Sequence, residues 1–126
     1  MPGFRLTAAV LGTPDPRGLA RFYQRLLGWQ IRDDEDDWAT LRPADGGTGL
    51  SFQLETDHVP PVWPPQPGTQ QMQQHLDIEV DDLTAACAVA EEAGARRIGG
   101  YDDPDELVRV YADPAGHPFC LCGPMG

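Results

Sequence analysis

In the stretch QQHLDIEVDD, residues 73–82, His75, Asp77 and Glu79 alternate with Leu76, Ile78 and Val80. A period of two predicts a strand with one apolar face and one face bearing groups that can do chemistry. An imidazole offers a donor and an acceptor, titrates near neutrality, and can ligate a metal or move a proton. The two carboxylates can orient a cationic ligand. They stand one and two pleat steps from His75, and a step of about 6.6 Å is too long for compact sharing of one ion on a straight strand. His75 is therefore read as lining a pocket, with a weaker candidacy as a general base and no metal ligand assigned. Cys120 and Cys122 form a C-x-C pair that puts both sulfurs on one face of a strand. With Cys87 they make three cysteines, which is neither a disulfide framework nor two pairs able to close a zinc site.

Composition removes several function classes. Acids outnumber bases 20 to 9, for a net charge of −11, which is the wrong sign for a phosphate backbone. Such a field favours a cationic small molecule. All nine basic residues are Arg, so lysine Schiff-base chemistry is excluded. Ser51 lacks the G-x-S-x-G setting of a hydrolase nucleophile, and GGTG precedes a strand instead of joining a strand to a helix as a phosphate loop would. No apolar run approaches the roughly 20 residues of a membrane helix, and the start lacks a basic, apolar leader. The expectation is a cytoplasmic protein that binds neither nucleic acid nor membrane.

Two helices position these residues. In TPDPRGLARFYQRLLGW, Asp15 is the N-cap, Pro16 the first helical residue and Gly28 the stop, with Leu19, Phe22, Tyr23 and Leu26 as the apolar stripe. In VDDLTAACAVAEEAGAR, Asp82 caps, Gly94 stops, and Leu83, Ala86, Cys87 and Ala90 form the stripe. RLTAAVL precedes the first helix and HLDIEV the second. Three strand-like runs follow each: WQIRDD, DWATLR and GLSFQLE, then ARRIGGY, ELVRVYA and PFCLC. The order is βαβββ twice. Asp15 and Asp82 lie 67 apart (82 − 15), as do Gly49 and Gly116 (116 − 49), which suggests an internal duplication. DPAGH and ADGGTG are read as equivalent tight turns, with His117 capping the first of them. Between the halves, TDHVPPVWPPQPGTQQMQQ carries five prolines and predicts an extended connector. Its Trp63 either covers a cleft or packs the connector down.

TPDPRGLARFYQRLLGW, QHLDIEVDDLTAA and VYADPAGHPFCLC resemble the vicinal oxygen chelate superfamily, which includes glyoxalase I, extradiol dioxygenases and bleomycin-resistance proteins. The closest likeness is to single-domain glyoxalase-like proteins. The resemblance implies an α+β fold, two βαβββ modules forming a curved mixed sheet around a cleft (the glyoxalase/bleomycin resistance/dihydroxybiphenyl dioxygenase-like fold). One domain spans 1–126, with module one about 1–56, the connector about 57–73 and module two about 74–126. The superfamily's metal ligands map to Ala8, Gln53, His75 and Cys120. Ala8 carries no donor atom, Gln53 a neutral amide, and Cys120 a thiol where a carboxylate is usual.

These readings converge on a small-molecule-binding, glyoxalase-like protein with a degenerate, metal-free cleft for a drug or metabolite. The expected lining is Gln53, Trp63, His75, Asp77, Glu79 and Cys120. No cofactor is expected. The alternative is a lyase, isomerase or dioxygenase using a divalent metal, zinc or another, at His75. The resemblance also implies a homodimer.

Overall fold

The computed structural model describes residues 2–103 and 106–125. The chain divides into two compact units, one ending at His58 and the other beginning at Val59, so the proline-rich connector groups with the second.

In the first unit, β1 (Ala8–Thr13) leads into α1 (Pro16–Leu27), then β2 (Gln30–Asp34), β3 (Trp38–Arg42) and β4 (Gly49–Leu54). The Asp15 carboxylate accepts from the Gly18 amide at 3.0 Å, satisfying one of the donors a helix start leaves unpaired. Gly28, at φ 73°, ends the helix. The sheet order is β1-β4-β3-β2, with β1 parallel to β4 and the remaining pairs antiparallel. Leu19, Phe22 and Tyr23 bury the inner stripe of α1 as expected. Tyr23 stacks on Phe52 of β4 with centroids 5.9 Å apart. On the outer edge, Arg21 forks onto both oxygens of Asp34 at 3.1 and 2.9 Å, and this hydrogen bond holds the Asp34 carboxyl below the usual range.

The second unit repeats the plan with β5 (Leu76–Glu79), α2 (Leu83–Ala93), β6 (Arg96–Asp103), β7 (Glu106–Ala112) and β8 (Pro118–Cys122), in sheet order β5-β8-β7-β6. Asp82 caps α2 through the Ala85 amide at 3.0 Å, and Gly94 ends it at φ 117°. Tyr111 and Phe119 stack at 5.8 Å, the counterpart of Tyr23 on Phe52. The Tyr111 hydroxyl donates to Glu91 at 2.9 Å, and burial pushes its phenol well above the ordinary value.

The two copies are not superimposable strand for strand. Phe52 and Phe119 are 67 apart and fill the same role, yet Phe52 pairs with Leu11 whereas Phe119 pairs with Leu76, only 65 beyond Leu11 (76 − 11). Relative to its parallel partner, β8 has slid two residues from the register of β4. An even slip keeps every side chain on its own face, so the core tolerates it. Its consequence is local: Gln53 lies opposite Gly12, but Cys120 lies opposite Asp77.

One turn assignment needs correction. Gly49 does not match Gly116: Gly116 is left-handed (φ 88°) and its amide closes the Asp113 turn at 2.8 Å, while in the first unit Gly46 (φ 78°) closes on Pro43 at 3.1 Å and Gly49 opens β4. The DPAGH turn is held at its start by the Asp113 side chain. Asp113 Oδ1 accepts from the amides of Ala115 and His117 at 2.9 and 3.0 Å, the Asx arrangement that makes Asp common at turn starts. The first strand also begins later than RLTAAVL suggests, at Ala8, leaving Phe4 and Leu6 exposed.

Candidate functional site

The second unit contains a hollow of about 510 Å³ whose lining includes Trp63, His75, Asp77, Tyr101, Cys120 and Cys122. Its volume is that of a small-molecule site. The floor is the face of the sheet opposite Tyr111 and Phe119, where Val108 and Val110 of β7 supply the apolar base. Alternation along β8 presents Cys120 and Cys122 together on this face, while Phe119 and Leu121 point into the core. Leu76 and Ile78 are likewise turned from Asp77, as the sequence pattern requires.

One expectation about this face is wrong in its physics. His75 was placed too far from Asp77 to share an ion, but Nε2 of His75 lies 3.2 Å from Oδ1 of Asp77. The pleat step separates backbone positions. His75 precedes the first residue of β5, and its side chain reaches back toward its neighbour two positions on. The register slip adds Cys120 directly across from Asp77. One ligand atom each from His75, Asp77 and Cys120 lies within 4.8 Å of the other two.

Burial pushes the Cys120 thiol up to about 11, helped by the neighbouring charges of Asp77 and Cys122 and by a hydrogen bond to Asp77. Raising a thiol from 9.0 to about 11 leaves about 100-fold fewer thiolates at pH 8 than an ordinary cysteine has. Alkylation followed residue by residue by mass spectrometry should therefore be slow at Cys120 near neutrality. It should rise about tenfold per pH unit until the thiol titrates. Fast labelling of Cys120 at pH 7 would contradict this environment.

Trp63 and Cys120 thus line the hollow with His75 and Asp77. Glu79 shares the strand face of Asp77 but lines a separate depression beside Asp82 and the start of α2. Gln53 belongs to the first unit, where its amide donates to Glu55 at 2.7 Å. Tyr101 and Cys122 were missed as site residues. The shared face of the C-x-C pair was signal enough for Cys122. Tyr101 was hidden because the strand irregularity between Arg97 and Gly99 breaks the alternation that would have assigned its face. Trp63 packs against bare backbone: a Cβ on Gly99 would lie 3.1 Å from the indole nitrogen.

The metal positions implied by the superfamily do not make a good site for its usual hard ions. Ala8 offers only a methyl group, Gln53 a neutral amide, and Cys120 a soft sulfur, so carboxylate-seeking ions find no carboxylate among the four.

Fold and site together define a two-module βαβββ protein with a ligand-sized hollow in its second module. The chain belongs to the glyoxalase-like domain family, whose model matches residues 8–122. Among solved structures it is similar to a glyoxalase/bleomycin resistance protein/dioxygenase family enzyme from Burkholderia phytofirmans PsJN, at 19% identity and TM-score 0.72, covering 95% of this chain and 98% of that one. A glyoxalase/dioxygenase from Nostoc punctiforme matches at 20% identity and TM-score 0.70 over 94% and 90% of the two chains. TnmS3, an antibiotic binding protein from Streptomyces sp. CB03234, matches at 22% identity and TM-score 0.61 over 98% of each. No curated protein shows detectable similarity to the sequence. Identities this low establish the shared fold and leave the chemistry to the site. Among the described residues, no helix is long and apolar enough to cross a membrane.

Proposed function

We propose that the hollow of the second unit binds a small organic molecule, a drug or metabolite with a flat apolar portion and a positively charged or donor-rich group, and that it does so without catalysis. The observation that carries this reading is the convergence of Trp63 and Tyr101 with His75 and Asp77 around one space of about 510 Å³. Aromatic rings give rigid contact area, and a few convergent polar groups fix orientation. Asp77, whose side chain is 71% exposed, is open to an approaching cation, and the net charge of −11 draws one in. The protonated Cys120 thiol is a weak nucleophile, which favours binding over covalent chemistry. The fold shared with an antibiotic binding protein supports the same reading.

A thermal-shift screen of planar aromatic amines beside their uncharged isosteres tests it. A native-state ligand raises the unfolding temperature. The amines should do so and the isosteres should do so less. Asp77→Asn should weaken the response about threefold to tenfold, a modest factor because solvent screens so exposed a carboxylate. Trp63→Ala should weaken both series alike. No shift across the panel would sink the proposal.

The alternative, a divalent-metal lyase, isomerase or dioxygenase, draws its support from the His75, Asp77 and Cys120 cluster, and the first question it raises is whether that cluster holds an ion at all.

A further inference from the structure

We infer that His75, Asp77 and Cys120 form a binding site for a thiophilic divalent cation of the zinc class, built wholly within the second module. The set differs from the one the superfamily implies. Asp77 joins it, and neither Ala8 nor Gln53 takes part.

Three observations carry the inference. First, the donors are already gathered. Zinc bonds of about 2.0–2.3 Å in a tetrahedron place neighbouring ligand atoms about 3.3–3.8 Å apart. His75 Nε2 and Asp77 Oδ1 stand at 3.2 Å, and the three ligand atoms all lie within 4.8 Å of one another. Second, the donors are the right kind. Imidazole, carboxylate and thiolate suit zinc, whereas magnesium and calcium demand oxygen throughout. Third, the positions are held by paired strands. Asp77 and Cys120 are direct cross-strand partners, and His75 follows from one step before β5.

Three protein donors would leave a fourth zinc position for water or another ligand. Binding exchanges the Cys120 proton for the metal: the S–H bond breaks, the proton goes to solvent, and sulfur's electron pair forms the bond to the ion. Metals drive this exchange at thiols that are protonated in the free protein. An ion here also takes up the Asp77 carboxylate, so it would compete with an organic cation at the same group. The site itself needs no organic ligand, and its test is independent of the function proposed above.

The experiment uses the full chain, stripped with chelator under reducing conditions and titrated with Zn²⁺ and Co²⁺, with Mg²⁺ as the control. The expected result is one ion per chain, a sulfur-to-cobalt charge-transfer band in the Co²⁺ spectrum, and no competition from Mg²⁺. Asp77→Asn and Cys120→Ser should each weaken binding by more than about tenfold, since loss of an outer partner alone reaches that range. Cys120→Ala repeats the thiol test with a different replacement, and circular dichroism of each variant separates lost binding from lost fold. Gln53→Ala should bind normally. Absence of the thiolate band, binding that survives both Cys120 variants, or Mg²⁺ competing as well as Zn²⁺ would each overturn the inference. Binding lost in Gln53→Ala but kept in Asp77→Asn would overturn it in favour of the superfamily arrangement.

Discussion

Phe119→Ala is expected to lower the free energy of unfolding by about 3–5 kcal/mol, measured by urea titration. Phe119 is 0% exposed and stacks on Tyr111, itself buried at 1%. Removing the ring takes away the burial of an aromatic side chain and leaves a cavity that the surrounding strands cannot close, because β8 is held on both sides by β5 and β7. Domains of this size have only about 5–15 kcal/mol in hand, so the variant approaches the point of unfolding at ambient temperature. Phe52→Ala should lose a similar amount, since Phe52 is equally buried and stacks on Tyr23 at nearly the same distance. The matched pair also tests the duplication energetically. Equal losses mean the two modules use the same keystone. A loss below about 1 kcal/mol at either site would show that this core is not packed as described.

The parts of the fold that were legible are those specified by local chemistry. Asp15 with Pro16, and Asp82, mark helix starts because a carboxylate accepts from the unpaired amides of the first turn. Gly28 and Gly94 mark the ends. The runs ELVRVYA and PFCLC coincide with β7 and β8, bounded by a turn with its own Asp cap. What was not legible depends on pairing. No residue announces that β8 sits two positions along from the register of β4, because an even slip preserves the pattern of buried and exposed residues. That slip decides that Cys120 faces Asp77. Likewise, the alternation in HLDIEV gave the common face of His75 and Asp77 but not their contact, which requires His75 to lie off the strand's end. Glu79 illustrates the converse. It has the right face, but it sits where the chain turns into α2, and it opens onto a different depression. Trp63 packs on Gly99, which in sequence is one residue of the strand-like run ARRIGGY with nothing to mark it as a seat.

Gly100→Ala should damage the fold and the organic-ligand site while sparing the metal cluster. Gly100 sits at φ 139°, a backbone conformation that side chains of L residues rarely adopt. A Cβ there would lie 2.5 Å from the Val108 carbonyl oxygen and 3.2 Å from the Arg109 Cα. Both obstacles are backbone, so no rotamer change relieves them, and β6 must move away from β7. Conformational strain of about 1–2 kcal/mol and the lost pairing together predict a destabilisation above about 2 kcal/mol in a denaturant titration. The displaced segment carries Gly99, against which Trp63 packs, and Tyr101, which lines the hollow, so the thermal response to aromatic amines should fall with it. His75, Asp77 and Cys120 belong to β5, its approach and β8, separated from β6 by the whole of β7 in the sheet order. Under conditions where the variant is folded, its Co²⁺ spectrum should therefore match that of the parent. A variant as stable as the parent, with an undiminished response to the amines, would mean that the backbone at Gly100 neither requires glycine nor shapes the hollow.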